Sequence, residues 1–173
     1  SGFRGNNRPV ERVSWNDCQN FIVALNQLGQ GTFRFPSEAE WEYACRAGTE
    51  TRFHFGNSTC SAVSCSACDL SDYAWWCGNS GNMTHPVGEK LPNAFGLYDM
   101  HGNVFEWCQD WLQPDYSGAP TDGSAWESPQ RTQRVLRGGA WNSSPRRVVS
   151  PARYSEVPHQ VLNIIGLRLV RMP

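Results

Sequence analysis

The sequence predicts an α+β fold, and three observations support this prediction. Two segments near the N terminus combine helical spacing of apolar residues with a capping residue in front of them. Two segments near the C terminus have the composition of short strands. Over the whole chain, sixteen Gly and eleven Pro are spread so that they interrupt regular structure, while eight Trp, eight Phe and five Tyr can hold irregular segments together in aromatic clusters. We therefore expect a loop-rich domain in which more than half of the chain is irregular.

The first predicted helix covers residues 15 to 28. Ser14 is a favourable N-cap, and Asp17 stands at the third helical position, where a carboxylate stabilises the first turn. Gly29 provides a left-handed stop. The residues that recur at helical spacing, and so define the apolar face, are Trp15, Cys18, Phe21, Ile22 and Leu25.

The second predicted helix begins after Pro36. Ser37 and Glu40 have the spacing of a capping box, in which each side chain accepts a hydrogen bond from the other's backbone N–H. Gly48 ends the helix. The side chains expected on its buried face are Trp41, Ala44 and Cys45.

The predicted strands are short. Residues 134 to 137 form one strand, and residues 165 to 171, where Leu167 and Leu169 flank Arg168, form its counterpart. Residues 53 to 56 resemble a further short strand. Between the helices and the late strands, residues 112 to 130 are rich in Pro, Gly, Ser and Asp and predict a long surface loop.

Four cysteines lie close together in an irregular segment, at Cys60, Cys65, Cys68 and Cys77. They could form disulfides with one another or with Cys108, hold zinc, or remain free thiols, and the sequence leaves these alternatives open. If they are oxidised, the expected location of the protein is the cell surface or another extracytoplasmic compartment, because disulfides persist in oxidising surroundings.

Composition and charge exclude some partners. The net charge is −1 and the isoelectric point is near 6.4, which gives no electrostatic field for nucleic acid. No apolar run is long enough to cross a bilayer, so we expect no membrane insertion by this segment. The length suits one domain, which we take to cover residues 1–173.

The stretch from Pro92 to Trp111 is the candidate metal site. It is too polar to predict a buried strand, yet its carboxylates stand among aromatic residues and need partners inside the fold. The side chains of Asp99 and Glu106, with the main-chain carbonyls of Gly102 and Val104, offer the oxygen ligands that Ca²⁺ prefers. The alternative is that the two carboxylates cap turns or pair with arginines.

Four segments together resemble the formylglycine-generating-enzyme, or sulfatase-modifying-factor, superfamily. The longest runs from Asn93 to Trp111, and it contains the sequence Gly-Leu-Tyr-Asp-Met-His-Gly-Asn-Val-Phe-Glu-Trp. The other segments occur in the family's order and cover residues 9–15, 35–44 and 137–141 with 166–169. The resemblance implies a C-type lectin fold of the formylglycine-generating-enzyme type, in which two helices pack on short twisted antiparallel strands. It also implies that the chain is the C-terminal part of a longer protein.

The same resemblance assigns one structural Ca²⁺ to Asp99, Gly102, Val104 and Glu106. A second calcium site of the family uses an asparagine soon after a Tyr-Ala pair. Trp75 stands at that place in this chain, so we expect one site only.

The resemblance also bears on catalysis. Formylglycine-generating enzymes bind copper through two cysteines that follow the Arg-Gly-Gly motif, and soft thiolates suit Cu(I). Ser143 and Val148 match those two positions, and no cysteine follows Cys108. We therefore expect no formylglycine synthesis and no catalytic residues. The alternatives are an enzyme of the superfamily with non-copper chemistry and a binding module of fixed specificity.

The segment between the Arg-Gly-Gly motif and the last strand predicts a binding face for a protein or another macromolecular ligand. It has no steady periodicity, contains three prolines, and mixes Arg and Tyr with polar side chains, the residue types that often dominate interface energy. The predicted ligand-binding residues are Ser143, Ser144, Arg147, Val148, Tyr154, Ser155, Glu156, Val157, His159, Gln160, Val161, Leu162 and Ile164.

This segment resembles the variable proteins of diversity-generating retroelements, which share the fold and carry their variable residues in the same interval. In those systems template adenines are mutated, so asparagine codons become codons for other residues. Eleven of the thirteen predicted residues are reachable from an AAC codon, whereas Glu156 and Gln160 are not. The resemblance implies a protein whose exposed side chains vary while its fold is retained.

Overall fold

The computed structural model describes residues 1–172, and it contains two helices and six short strands. The helices are α1 (Trp15–Gln27) and α2 (Glu38–Arg46). The strands are β1 (Thr32–Arg34), β2 (Phe105–Trp111), β3 (Arg134–Arg137), β4 (Tyr154–Glu156), β5 (Ile165–Gly166) and β6 (Val170–Met172). Short 3-10 turns occur at Asp69–Asp72 and Pro145–Arg147. No helix among these residues is both long and apolar enough to cross a membrane.

Both predicted helices are confirmed, and their starts follow from side-chain caps. The Ser14 hydroxyl accepts a hydrogen bond from the backbone N–H of Asp17 at 3.0 Å, and the Asp17 carboxylate accepts the N–H of Ser14 at 3.0 Å. Ser37 and Glu40 make the same reciprocal pair in α2. These bonds satisfy backbone donors that have no partner within the helix, and so they fix where each helix begins.

The strands form two sheets. In the larger sheet the order is β4-β3-β2-β5, and in the smaller one β1 pairs with β6. The α+β class is confirmed, but one expectation about the strands is wrong, because β2 and β5 are parallel while the other pairs are antiparallel. Residues 53 to 56 form only an isolated bridge between Phe53 and Gly56.

The last predicted strand is divided in two. Residues 165 to 171 were expected to form one strand, but β5 ends at Gly166 and β6 begins at Val170. The two pieces belong to different sheets, with β5 beside β2 and β6 beside β1. The chain therefore changes sheets between them, and Arg168 lies in this crossing.

The central strand β2 is buried along nearly its whole length, which corrects the expectation that its segment is too polar for a buried strand. Its polar side chains have partners from distant parts of the chain. Asp110, for example, accepts the backbone N–H groups of Glu38 at 2.7 Å and Trp126 at 2.8 Å. A buried carboxylate is tolerated where such donors satisfy it.

The core consists of three clusters. The largest joins α1 to the sheet, the second lies under the irregular segment before β2, and the third lies between α2 and the sheet. Trp107 in the first cluster is completely buried, and Trp141 is buried as well. Both tryptophans therefore belong to the interior of the domain.

The four clustered cysteines are paired as disulfides, Cys60 with Cys68 and Cys65 with Cys77. Cys60, Cys68 and Asp69 are close enough together to suggest a metal site. However, a disulfide removes the thiolates that zinc requires. Of the alternatives left open by the sequence, the structure therefore has the disulfides. The remaining cysteines, Cys18, Cys45 and Cys108, are free and buried.

Candidate functional site

The candidate metal turn, residues 99 to 106, has a backbone shape that depends on left-handed residues. Asp99, Gly102 and Asn103 have φ values of 56°, 81° and 62°. A side chain at Gly102 would collide with the backbone of Trp75, so this position combines positive φ with close approach of a second chain segment. The turn consequently holds its carbonyl groups in a fixed arrangement at the start of β2.

Asp99 is buried and only partly satisfied. Its Oδ2 accepts the backbone N–H of Gly88 at 2.8 Å, whereas its Oδ1 has no hydrogen-bond partner among the described residues. Burial raises the pKa of this carboxyl group above its usual value. A buried carboxylate oxygen without a donor is costly, and a bound cation would remove that cost.

Glu106 is already paired with an arginine, which is one of the alternatives to calcium binding that the sequence left open. Its Oε2 accepts the indole N–H of Trp41 at 2.7 Å and Nε of Arg168 at 2.8 Å, and its Oε1 accepts Nη2 of Arg168 at 2.8 Å. An ionised carboxylate can accept about four hydrogen bonds, and these contacts use three of its sites. Oε1 therefore keeps one site with which it could contact a cation.

A cavity of about 480 Å³ brings the four predicted ligands together. Asp99, Gly102, Val104 and Glu106 all line it, and Arg168 lines it beside them. The donor set consists of oxygen atoms only, which is the chemistry that Ca²⁺ accepts. The unpartnered oxygen of Asp99 and the free site on Glu106 thus fit a calcium ion, although Arg168 already supplies one positive charge to Glu106.

The predicted ligand-binding residues do not all share one environment. Three are exposed, namely Arg147, His159 and Val161. Two are buried in the core, namely Ser143 and Val148. The rest are half-buried, namely Ser144, Tyr154, Ser155, Glu156, Val157, Gln160, Leu162 and Ile164. Ser143 and Val148 therefore do not belong to an exposed face, and the prediction is corrected for these two positions.

Ser143 and Val148 are buried because their segment is folded against the second core cluster. The Ser143 hydroxyl accepts the backbone N–H of Ala140 at 3.0 Å, and its carbonyl accepts the N–H of Cys77 at 3.1 Å. Val148 packs in the cluster with Phe53 and Trp76. Both residues hold the backbone from which the exposed side chains project.

The half-buried part of the face is anchored by aromatic stacking. The ring of Tyr154 lies on that of Phe105, with 5.0 Å between ring centroids and 24° between planes. The guanidinium carbon of Arg147 lies 5.2 Å from the centroid of Tyr154. An exposed arginine therefore lies above an aromatic pair that rests on the central strand.

Comparison with known proteins identifies the family. Residues 3–173 match the sulfatase-modifying factor enzyme 1-like domain. The chain belongs to this family. Over 169 residues it is 31% identical to the formylglycine-generating enzyme of Streptomyces coelicolor, with 94% of this chain and 52% of that enzyme covered. The chain thus spans about half the length of that relative.

Solved structures support the same family and its C-type lectin-like fold. PvdO from Pseudomonas aeruginosa superposes with a TM-score of 0.87 at 35% identity, covering 98% of this chain and 64% of that one. Treponema denticola variable protein 1 superposes with a TM-score of 0.81 at 29% identity, covering 99% and 74%. Similarity to a variable protein thus extends over nearly the whole domain.

A buried polar group centred on His101 lies against the backbone of Val148. Nδ1 of His101 is 2.6 Å from the carbonyl oxygen of Val148, and its ring stacks on that of His54 at 5.0 Å. The Cys45 sulfur lies 3.8 Å from Nε2 of His101. These residues are far apart in the sequence and share no motif, so no local signal could have joined them.

The buried group is electrically neutral. Burial lowers the pKa of His101 to about 3 and raises that of Cys45 to about 12. Neither the imidazole nor the thiol is therefore charged near neutral pH, and neither lines any of the cavities described for this domain. His101 therefore acts in packing, where its ring contacts those of His54 and Phe53.

Proposed function

We propose that this domain is a non-catalytic ligand-binding protein whose outer side chains between residues 143 and 164 form a variable binding face. The main support for this proposal is that the segment contains both buried side chains, which hold its backbone in the core, and exposed side chains. Ser143 and Val148 are held in the core, whereas Arg147, His159 and Val161 project outward. Exposed side chains on a fixed backbone can change at little cost to folding.

The chemistry of Ser143 and Val148 supports a non-catalytic role. A hydroxyl and an isopropyl group cannot replace the two thiolates that Cu(I) requires. His101, which contacts the carbonyl of Val148, and the adjacent Cys45 are buried and neutral. Function depends on the site rather than on the fold, so family membership alone does not bring the enzymatic activity.

The enzymatic alternative can be tested directly. The purified domain is incubated with a sulfatase-type cysteine peptide, copper and oxygen, with the Streptomyces coelicolor formylglycine-generating enzyme as positive control. We expect conversion by the control enzyme and none by this domain. Formation of the aldehyde by this domain would overturn the non-catalytic proposal.

The likeness to Treponema denticola variable protein 1 supports variation of the face. If the domain belongs to a diversity-generating retroelement, a reverse transcriptase gene should lie nearby. A near-copy of the DNA for residues 138 to 169 should also be present, and it should differ chiefly where the copy has adenine. Absence of that copy from the complete genome would leave a binding module of fixed specificity.

We further propose that the turn holds one structural Ca²⁺ through the side chains of Asp99 and Glu106 and the carbonyls of Gly102 and Val104. The unpartnered Oδ1 of Asp99 is the main support for this proposal. When bound, the ion would supply positive charge to two buried carboxylates and link the turn to the start of β2. It would thereby stabilise the backbone on which the face is built, because it binds only the folded state.

A further inference from the structure

A small basic cavity lies on the proposed binding face. Its volume is about 250 Å³, and it is lined by Phe105, Arg146, Arg147, Ala152, Arg153 and Tyr154. Three of these six residues are arginines and none is acidic. The pocket therefore combines positive charge with an aromatic floor formed by Phe105 and Tyr154.

The three arginines are not equivalent. Arg153 is neutralised by Glu38, to which its Nε and Nη2 donate at 2.7 and 2.8 Å. Arg146 and Arg147 are exposed, and within residues 1–172 their guanidinium groups make neither a hydrogen bond nor an ion pair. Two positive charges at this cavity are thus uncompensated.

The backbone that carries these two arginines is fixed. The N–H of Arg146 donates to the carbonyl of Ala62 at 3.0 Å, inside the loop closed by the Cys60–Cys68 disulfide. The N–H of Arg147 donates to the carbonyl of Ser144 at 2.9 Å. The backbone of both arginines is therefore held by hydrogen bonds, and only their side chains have to become ordered when a ligand binds.

We infer that this pocket binds the carboxylate side chain of an acidic polypeptide, with Arg146 and Arg147 as the residues that contact it. A guanidinium group donates two parallel hydrogen bonds to a carboxylate, and the apolar floor strengthens such bonds by excluding water. The volume lies below the range of about 300 to 1,000 Å³ that is usual for whole small-molecule ligands, which favours one inserted side chain. This inference rests on the proposed binding face and specifies the chemistry of its ligand.

The inference is tested with a fluorescein-labelled peptide of alternating Glu and Gly, whose binding is measured by fluorescence anisotropy. The matched peptide of Gln and Gly controls for charge. We expect the Glu peptide to bind and the Gln peptide not to bind. Affinity for the Glu peptide should fall as salt is added, because exposed charges are screened.

Two variants assign the binding to the pocket. Arg146→Gln/Arg147→Gln should weaken binding of the Glu peptide by about tenfold or more, as expected for loss of charge-assisted hydrogen bonds. Arg171→Gln removes an exposed arginine from β6 in the other sheet and should leave the affinity unchanged. Melting temperatures of both variants should match that of the wild type, because neither alters a buried side chain.

Each other outcome overturns the inference in a distinct way. If the Glu peptide does not bind, or binds the double variant as tightly as the wild type, the pocket is not its site. If a heparin oligosaccharide binds through these arginines and the Glu peptide does not, the ligand is a sulfated polysaccharide. None of these three results contradicts the proposed binding face. That proposal is tested separately, by the search for a genomic near-copy and by the assay for aldehyde formation.

Discussion

Single residues of this domain differ sharply in what they contribute to stability. Trp107 is completely buried, and its indole N–H donates to the carbonyl of Val13 at 3.1 Å. His159 on the proposed face is exposed. The first should therefore be essential for packing, whereas the second should be free to change.

We predict that Trp107→Ala lowers the free energy of unfolding by about 3 to 5 kcal/mol, because it leaves a large cavity and an unpaired carbonyl. His159→Ala should change it by less than about 0.5 kcal/mol. Urea denaturation followed by circular dichroism measures both values. A cost for His159→Ala comparable to that of Trp107→Ala would contradict the separation of face from scaffold.

The cysteines allow a second prediction for single residues. Cys18, Cys45 and Cys108 are buried, and burial raises the pKa of each thiol, to about 12 for Cys18 and Cys45. Since the thiolate is the reactive form, none should react quickly with a disulfide reagent in the folded protein.

Thiol titration with a coloured disulfide reagent should therefore detect no rapidly reacting group in the native state. It should detect the three free cysteines in denaturant without reductant. The four paired cysteines should become reactive only after reduction. More than three reactive groups in the denatured, unreduced protein would contradict the disulfide pairs.

At the scale of elements, the segment that contains both disulfides, residues 60 to 77 (the disulfide loop), is hydrogen-bonded to the proposed binding face. The backbone N–H of Arg146 donates a hydrogen bond to the carbonyl of Ala62 in the loop, and the backbone N–H of Cys77 donates to the carbonyl of Ser143 at 3.1 Å. The loop has little regular structure of its own, so its shape depends on the two cross-links. Loosening it should release the face without unfolding the helices.

We predict that Cys60→Ser/Cys68→Ser increases hydrogen exchange at residues 143 to 148. Residues in α1 should keep their protection, which makes them an internal control, because α1 packs in a different core cluster. Mass spectrometry of peptic fragments measures both regions. Equal protection of 143 to 148 in the variant and the wild type would show that the loop does not support the face.

At the scale of the whole molecule, the proposed Ca²⁺ would couple the turn, the central strand and the crossing segment at Arg168. A ligand that binds only the folded state stabilises it by an amount set by concentration and affinity. At about 100 times the dissociation constant this amounts to about 2.7 kcal/mol. For a domain of this size, that corresponds to roughly 5 to 10 °C in melting temperature.

We predict that EDTA lowers the melting temperature by roughly that amount, and that added Ca²⁺ restores it. In Asp99→Asn, the side chain can still accept the N–H of Gly88 but carries no charge, so calcium should have little effect. In EDTA the variant and the wild type should melt at similar temperatures. If wild-type melting is unaffected by calcium, the site does not exist, and if the variant keeps the full response, the ion binds elsewhere.

The sequence by itself determined the elements whose signals are local. The capping residues Ser14 and Ser37 fixed the helix starts, because their bonds reach only three residues along the chain. The strand at residues 134–137 lay where its composition placed it. The motif from Asn93 to Trp111 identified the family and thereby the fold, since a long and specific pattern requires no knowledge of contacts.

Only the tertiary structure decided which polar residues are buried and which residues of the proposed binding face are exposed to solvent. The carboxylates of β2 lie in the core because Arg168, Trp41 and distant backbone N–H groups meet them there. Val148 is buried, whereas its neighbour Arg147 is exposed, although the sequence predicted that both belong to one binding face. Burial and partnership depend on segments that are far apart in the chain, and only the folded arrangement brings those segments together.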